Sequence, residues 1–353
     1  MSVFCTCMKH LGCRCGFLGR TIPIGPQAEK CRHDSAAHAP QATADATSTP
    51  SLPIFEDVYF RTKVPAIMSP TTFQIVSDLH LETHSYDYTF KQTAPNLALL
   101  GDIGKVADDA LFLFLERQLN RYWNVFFLLG NHEPVHGSWP AAKQRVRDFS
   151  EKMERLRAHS TIGRFVFLDQ TRHDINDTLT VLGCTLFSRI TAEQATEVGS
   201  RLIDFRQIQN WTVADHVDAH FSDLQWLNTQ VSAISRDEPR RQIVIFTHHC
   251  PTLDAQAAHE RHRGSPVTSG FATDLGAEAC WTSPAVVMWA FGHTHFSCDF
   301  TDEWGKRVVA NQRGYGAARS SSAEITAGFD AGKTFLAGRD SGASSGVRSM
   351  LVV

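Results

Sequence analysis

Short apolar runs recur through the middle of the chain, most of them ending in a polar tip, with longer amphipathic stretches between them. The runs fall at 73–77, 97–100, 124–129, 165–168, 179–186, 242–247, 286–291 and 307–310. They are too short for typical helices and rich in Val, Ile, Leu and Phe, which predicts strands. Residues 108–122, 141–157 and 213–234 carry helical spacing instead; in the first, Leu111, Leu115, Leu119 and Tyr122 share one face. No internal repeat is visible. Strands interleaved with helices predict an α/β protein of layered sheets flanked by helices.

The pattern stops at both ends. Residues 1–67 hold no sustained apolar period, and 35–53 are dominated by small and polar residues that bury too little surface to repay ordering. The expected organisation is a disordered, Cys-containing leader at 1–67, a catalytic domain at 68–318, and a Ser-, Ala- and Gly-rich tail at 319–353. Within that tail, one short strand is expected around 333–336. Met68 would make a natural start, so the leader reads as either a dispensable extension or a mistaken gene start. Two C-x-C pairs at Cys5, Cys7, Cys13 and Cys15 lack the spacing and histidines of a zinc knuckle, and read as free thiols. The remaining cysteines are too scattered for a disulfide framework.

Composition adds exclusions. With 34 basic and 37 acidic side chains, a net charge of -3 and no block of like charge, a nucleic-acid partner is not indicated. No apolar run approaches the ~18 residues of a membrane span, and the first 20 residues lack a secretory apolar core. A cytoplasmic setting with no membrane partner is expected.

The chemistry lies in the polar tips. Five strands end in clusters that a core would reject: S-D-L-H (77–80), G-D (101–102), G-N-H-E (130–133), T-H-H-C-P (247–251) and G-H-T-H (292–295). Loops at the carboxyl ends of strands in an α/β sheet converge on one edge, so the five tips can meet. Each tip alone is a weak signal, since D-x-H or H-x-H arises by chance. Asp, Asn and His offer oxygen and borderline nitrogen donors without thiols, a set suited to Mn, Fe, Zn or Mg.

The order of the five tips resembles the calcineurin-like metallophosphoesterases, over roughly 73–315. That resemblance implies a four-layer αββα sandwich of two mixed sheets, and a phosphoesterase using two divalent metal ions. Asp78, His80 and His295 would hold one metal and Asn131, His248 and His293 the other, with Asp102 bridging. A metal-bridging hydroxide would attack phosphorus in a small phosphomonoester or phosphodiester, with His132 as general acid. In the H-H pair the family pattern favours His248 as ligand, leaving His249 to line the substrate side or to pack the loop. Glu133 would either orient His132 or accept backbone hydrogen bonds in its turn.

Arg189, just after a strand, is a further candidate for binding substrate phosphate, although a surface role is the common fate of such a residue. His216 and His220, four apart on a helix without an accompanying acid, read as helix-surface or packing residues. Trp226, Trp281 and Trp289 read as core or pocket wall. G-D-I-G-K-V at 101–106 departs from the G-D-x-V-D-R-G of protein Ser/Thr phosphatases, and Lys105 stands where purple acid phosphatases place a metal-binding Tyr. Neither label is expected to apply. The alternative is a noncatalytic binding protein on the same fold, which would be expected to have lost ligands or the His of G-N-H-E; this chain keeps both.

Overall fold

The computed structural model describes residues 71–315 and 328–337. The leader 1–67, its cysteines, Met68 and the rest of the tail lie outside the described residues. In chain order the elements begin with β1 (Thr71–Val76), β2 (Asn96–Leu100), α1 (Asp109–Leu119), β3 (Asn124–Leu128), α2 (Trp139–Arg157) and β4 (Arg164–Phe167). There follow β5 (Thr171–Asp174), β6 (Leu179–Gly183), α3 (Ala195–Arg201), α4 (Asp204–Gln207), α5 (Val213–Asp237) and β7 (Gln242–Phe246). The chain continues through α6 (Ala279–Thr282), β8 (Val286–Phe291), β9 (Cys298–Thr301), β10 (Arg307–Ala310) and β11 (Thr334–Ala337).

Two mixed sheets result, in the strand orders β11-β1-β2-β3-β4 and β5-β6-β7-β8-β10-β9. Inner neighbours are parallel; β11, β5 and β9 join antiparallel at edges. Alternation along each strand builds the layers. Phe126 and Leu128 of β3 meet Val244 and Phe246 of β7 between the sheets. Val125 and Phe127 face away, against Phe114 and Leu115 of α1 and Val146 and Phe149 of α2. Ile243 and Ile245 do the same beneath Leu227, Val231 and Ile234 of α5. The order helix, sheet, sheet, helix is the four-layer sandwich expected, and it explains why the inner strands are apolar on both faces.

Local signals set the helix starts. Ser138 caps α2 by accepting from the Ala141 N–H, with Pro140 in the first turn. Thr212 and Asp215 form a reciprocal capping box on α5. The predicted face of α1 is buried throughout, Leu111, Leu115, Leu119 and Tyr122 alike.

Departures from the expected elements have plain causes. The strand expected over 179–186 stops at Gly183, and Leu186 and Phe187 then take positive φ (70° and 52°) that no strand continues through. Strands β5 and β9 carry no apolar run; their sequences are TRHD and CDFT, and they sit at sheet edges with charged side chains outward, as at Arg172 paired to Asp174 and Glu238. The strand expected in the tail is present as β11 and pairs along β1. Among the described residues no helix is long and apolar enough to cross a membrane.

His216 and His220 of α5 are fully buried, so they pack rather than decorate the helix surface. His216 Nε2 accepts the Ser188 N–H at 3.0 Å, and His220 Nδ1 donates to the Leu186 carbonyl at 3.0 Å; together they pin the bent segment after β6. Burial, helped by the neighbouring His220, lowers His216 to about 3. An unfolded chain takes up that proton near pH ~6.5, so the stabilisation is complete above that value and is lost as pH falls towards the folded one. In denaturant titrations, His216→Gln should lose stability less steeply than the parent between pH 6 and pH 4, by up to ~1.4 kcal/mol per pH unit. Identical slopes would refute the buried, neutral assignment.

Candidate metal centre

All five polar tips meet at one edge of the sandwich. Asp78 and His80 follow β1, Asp102 follows β2, Asn131 and His132 follow β3, His248 follows β7, and His293 and His295 follow β8. Each of these side chains leaves the carboxyl end of a strand, three tips from one sheet and two from the other. The backbone is forced to bring them together. Asp78, His80, Asp102, His293 and His295 all have positive φ, between 46° and 70°. Such conformations cost roughly 1–3 kcal/mol each and persist only where surroundings impose them, a pattern concentrated at functional sites. Gly130 is required by close approach: a Cβ there would meet Asp102 Oδ1 at 2.3 Å.

The hydrogen bonds around the site leave acceptors facing acceptors. His248 Nδ1 donates to the Leu100 carbonyl at 2.9 Å, so in the neutral ring Nε2 carries a lone pair. That lone pair faces Asn131 Oδ1 at 3.2 Å and Asp102 Oδ1 at 3.5 Å. Asn131 cannot turn its amide inward, because its Nδ2 donates to Asp204 Oδ1 at 2.8 Å. On the other side His80 is fixed in the same way. His80 Nδ1 is turned to the Glu82 carboxylate at 3.2 Å, which leaves Nε2 facing His295 Nε2 at 3.0 Å and Asp102 Oδ2 at 3.9 Å. His295 Nε2 is also 3.4 Å from Asp78 Oδ1.

Among the described residues three donor groups emerge, Asp78, His80, Asp102 and His295 in one, Asp102, His248 and His293 in the second, and His80, Glu82 and His132 in the third, each with ligand atoms within 4.8 Å of one another. Asp102 joins the first two. Burial, helped by the Asp78 charge and opposed by His132, raises the Asp102 carboxyl to about 7. Burial also holds His80 down at about 4. The protein alone thus disfavours charge at Asp102, and cations between these donors would restore it and replace the missing hydrogens. The residues fit hard or borderline divalent ions.

His132 stands beside this set with its own partner. Its Nδ1 lies 3.0 Å from Glu82 Oε1, the same oxygen that faces His80, and Tyr315 Oη lies 3.0 Å from its Nε2. Burial opposes charge on this ring, but Asp102 and Glu82 outweigh it and raise His132 to about 9. Glu133 does not orient His132. Its carboxylate accepts the N–H groups of Asp102, Ile103 and Gly130 at 2.8–3.0 Å, which is the turn-bracing alternative. Asp102 is fixed in turn by the His132 N–H at 2.8 Å from Oδ1.

The remaining candidates part company. His249 lies beneath the centre, fully buried, with its ring 4.3 Å from that of His293 and 5.3 Å from that of His216. Its ring is not at the substrate surface; it packs the floor. Arg189 is exposed and lines a cavity whose walls share no residue with the metal cleft. The cleft itself, about 410 Å³, is lined by Asp102, Asn131, His132, His293 and His295 within, and by Arg201, Arg261, His262, Phe271 and Tyr315 towards the mouth. Sequence reading missed Glu82, Asp204 and Tyr315. An acid two residues beyond His80, alternating with leucines, was the available signal for Glu82. Asp204 sits in a short helix with no motif around it.

A protein of Acanthamoeba polyphaga mimivirus, "Uncharacterized protein L509", is 24% identical over 267 residues, covering 70% of this chain and 92% of that protein. The phosphopantetheinyl hydrolase PptH of Mycobacterium tuberculosis shares the fold with a TM-score of 0.54 at 14% identity, covering 70% of this chain and 90% of that one. A dimetal phosphatase of Danio rerio aligns with a TM-score of 0.43 at 14% identity, over 69% of this chain and 87% of that one. Residues 71–297 match the family described as calcineurin-like phosphoesterase. The chain belongs to that family, as a divalent-metal-dependent hydrolase of phosphoester bonds.

Proposed function

We propose that the chain hydrolyses a small phosphomonoester or phosphodiester with two divalent cations. Asp78, His80 and His295 would hold one, Asn131, His248 and His293 the other, and Asp102 would serve both. The observation that carries this reading is the pair of donor groups joined at Asp102, with lone pairs opposed and outward-facing nitrogens already tied to Leu100 and Glu82. When bound, such a cation pair supplies an acidified water for attack and positive charge against the phosphoryl oxygens.

The protein's own groups do the rest. Asp204 holds the Asn131 amide so that only its oxygen faces the site. Glu82 fixes the Nδ1 edges of His80 and His132 together, so the ligand and the acid keep one spacing. A protonated His132 keeps its Nδ1 hydrogen on Glu82 and gives the Nε2 proton to the departing ester oxygen, ending as a neutral ring in the same position. Arg201, paired to Glu197 at 2.6 Å, and Arg261 line the cleft with guanidinium groups that suit an anionic ester.

With Mn2+ loaded, the protein should hydrolyse generic aryl phosphomonoesters or diesters. Asp102→Asn should cost more in kcat than the roughly 10–100-fold typical of losing a group that only supports a ligand. Parent and variant rates that are equal, or no hydrolysis by the parent, would defeat the proposal. His132→Gln should lower kcat by about 10²–10⁴-fold while leaving the bound metal unchanged, and the deficit should shrink for esters with more acidic leaving groups. A deficit independent of the leaving group would remove His132 from the acid role. Glu82→Gln should give a smaller loss, roughly 10–100-fold, with part of it appearing as weaker metal affinity measured by calorimetry. An unchanged affinity together with unchanged kcat would exclude the positioning role.

A further inference from the structure

Phe271 is a partition between two cavities. One side of its ring stacks on His293, with centroids 4.7 Å apart and planes 23° from parallel. Phe271 also lines a second cavity of about 430 Å³, and shares that double duty with His262, Val267 and Thr294. Thr294 lies between His293 and His295, so the second cavity begins one residue from two of the proposed ligands. Its volume falls within the roughly 300–1,000 Å³ of small-molecule sites.

The lining is apolar in effect as well as in composition. Leu253, Ala255, Ala258, Val267 and Ala272 supply carbon surface, and Leu253 is 57% exposed although no core requires it there. Polar groups in the wall are already engaged locally. Thr252 Oγ1 accepts the Asp254 N–H, and Asp254 Oδ1 accepts the Gln256 N–H. Thr268 Oγ1 donates to the Ser265 carbonyl, and His259 Nδ1 accepts the Arg261 N–H. A sugar or other polyhydroxylated group would find few partners and would lose its water. The charged groups of the lining are Arg263 and Asp254, and His262 lines this chamber and the metal cleft alike.

We propose that this chamber holds the alcohol side of the substrate, which makes the preferred substrate a phosphate ester with an apolar alkyl or aryl arm. The proposal rests on the phosphoesterase reading above, since it is the phosphoryl group at the metal centre that places the arm. In this proposal the ester oxygen stays within reach of His132, and the attached carbon chain runs past Phe271 and Thr294, which line both cavities, into the chamber. The metal centre selects the anion, while the chamber selects what the anion is attached to.

The test is calorimetric binding of n-alkylphosphonates, from methyl to hexyl, to the full-length Mn2+-loaded protein, run beside aryl phosphate hydrolysis. The phosphonate head group is constant and is not hydrolysed, so chain length alone varies. Affinity should tighten roughly two- to fourfold per methylene as the arm fills the chamber. Ala258→Trp, which fills the chamber from a half-exposed loop position, and Leu253→Asn, which removes apolar wall, should each weaken hexylphosphonate at least about tenfold and leave methylphosphonate unchanged. Hydrolysis of aryl phosphates with affinities that do not vary with chain length would overturn the chamber and leave the phosphoesterase reading standing. So would a chain-length gain that survives intact in both variants, because the arm would then lie elsewhere. Absence of both hydrolysis and phosphonate binding would overturn the phosphoesterase reading itself, and the chamber with it.

Discussion

Opposed lone pairs around Asp102 are the constraint that the rest of this structure serves. His80 Nε2, His248 Nε2, Asn131 Oδ1 and the two Asp102 oxygens converge, while the outward partners Glu82, Leu100 and Asp204 hold the hydrogens of the neutral His80, His248 and Asn131 side chains away from the centre. A buried arrangement of this kind is unfavourable without positive charge between the donors. Cations convert the same geometry from a cost into a binding site, which is the reason for reading it as a metal centre rather than as a polar core.

The scaffold carries that cost through backbone. Five donors sit in left-handed conformations, Gly130 allows Asp102 to approach within the space of a missing Cβ, and the Glu133 carboxylate gathers the amides of two separate strand tips. These features work because two stiff sheets hold the strand ends. Phe126 and Leu128 packed against Val244 and Phe246 fix one sheet on the other, and with it the spacing between Asn131 and His248. Stability and chemistry are therefore coupled at the same edge.

Much of this was legible in the residues. Inner strands announced themselves because both their faces are buried, and the polar tips because a core would reject Asp78, His80 or His248 directly after an apolar run. Edge strands β5 and β9 were invisible for the converse reason: their pairing is backbone-driven and their side chains are charged or half-exposed. The supports of the site were harder still. Glu82, Asp204 and Tyr315 act through distances across the fold, 50 residues from Glu82 to His132, 73 from Asn131 to Asp204 and 183 from His132 to Tyr315, and no local spacing encodes such partners. The two readings left open for Glu133 differed only in where its carboxylate points, which a sequence does not specify.

Anomalous diffraction from crystals grown with Mn2+ tests the central claim most directly. Two Mn2+ peaks should flank Asp102, one within bonding distance of Asp78, His80 and His295 and the other of Asn131, His248 and His293. A single peak, peaks away from Asp102, or no peak at saturating Mn2+ would contradict the account.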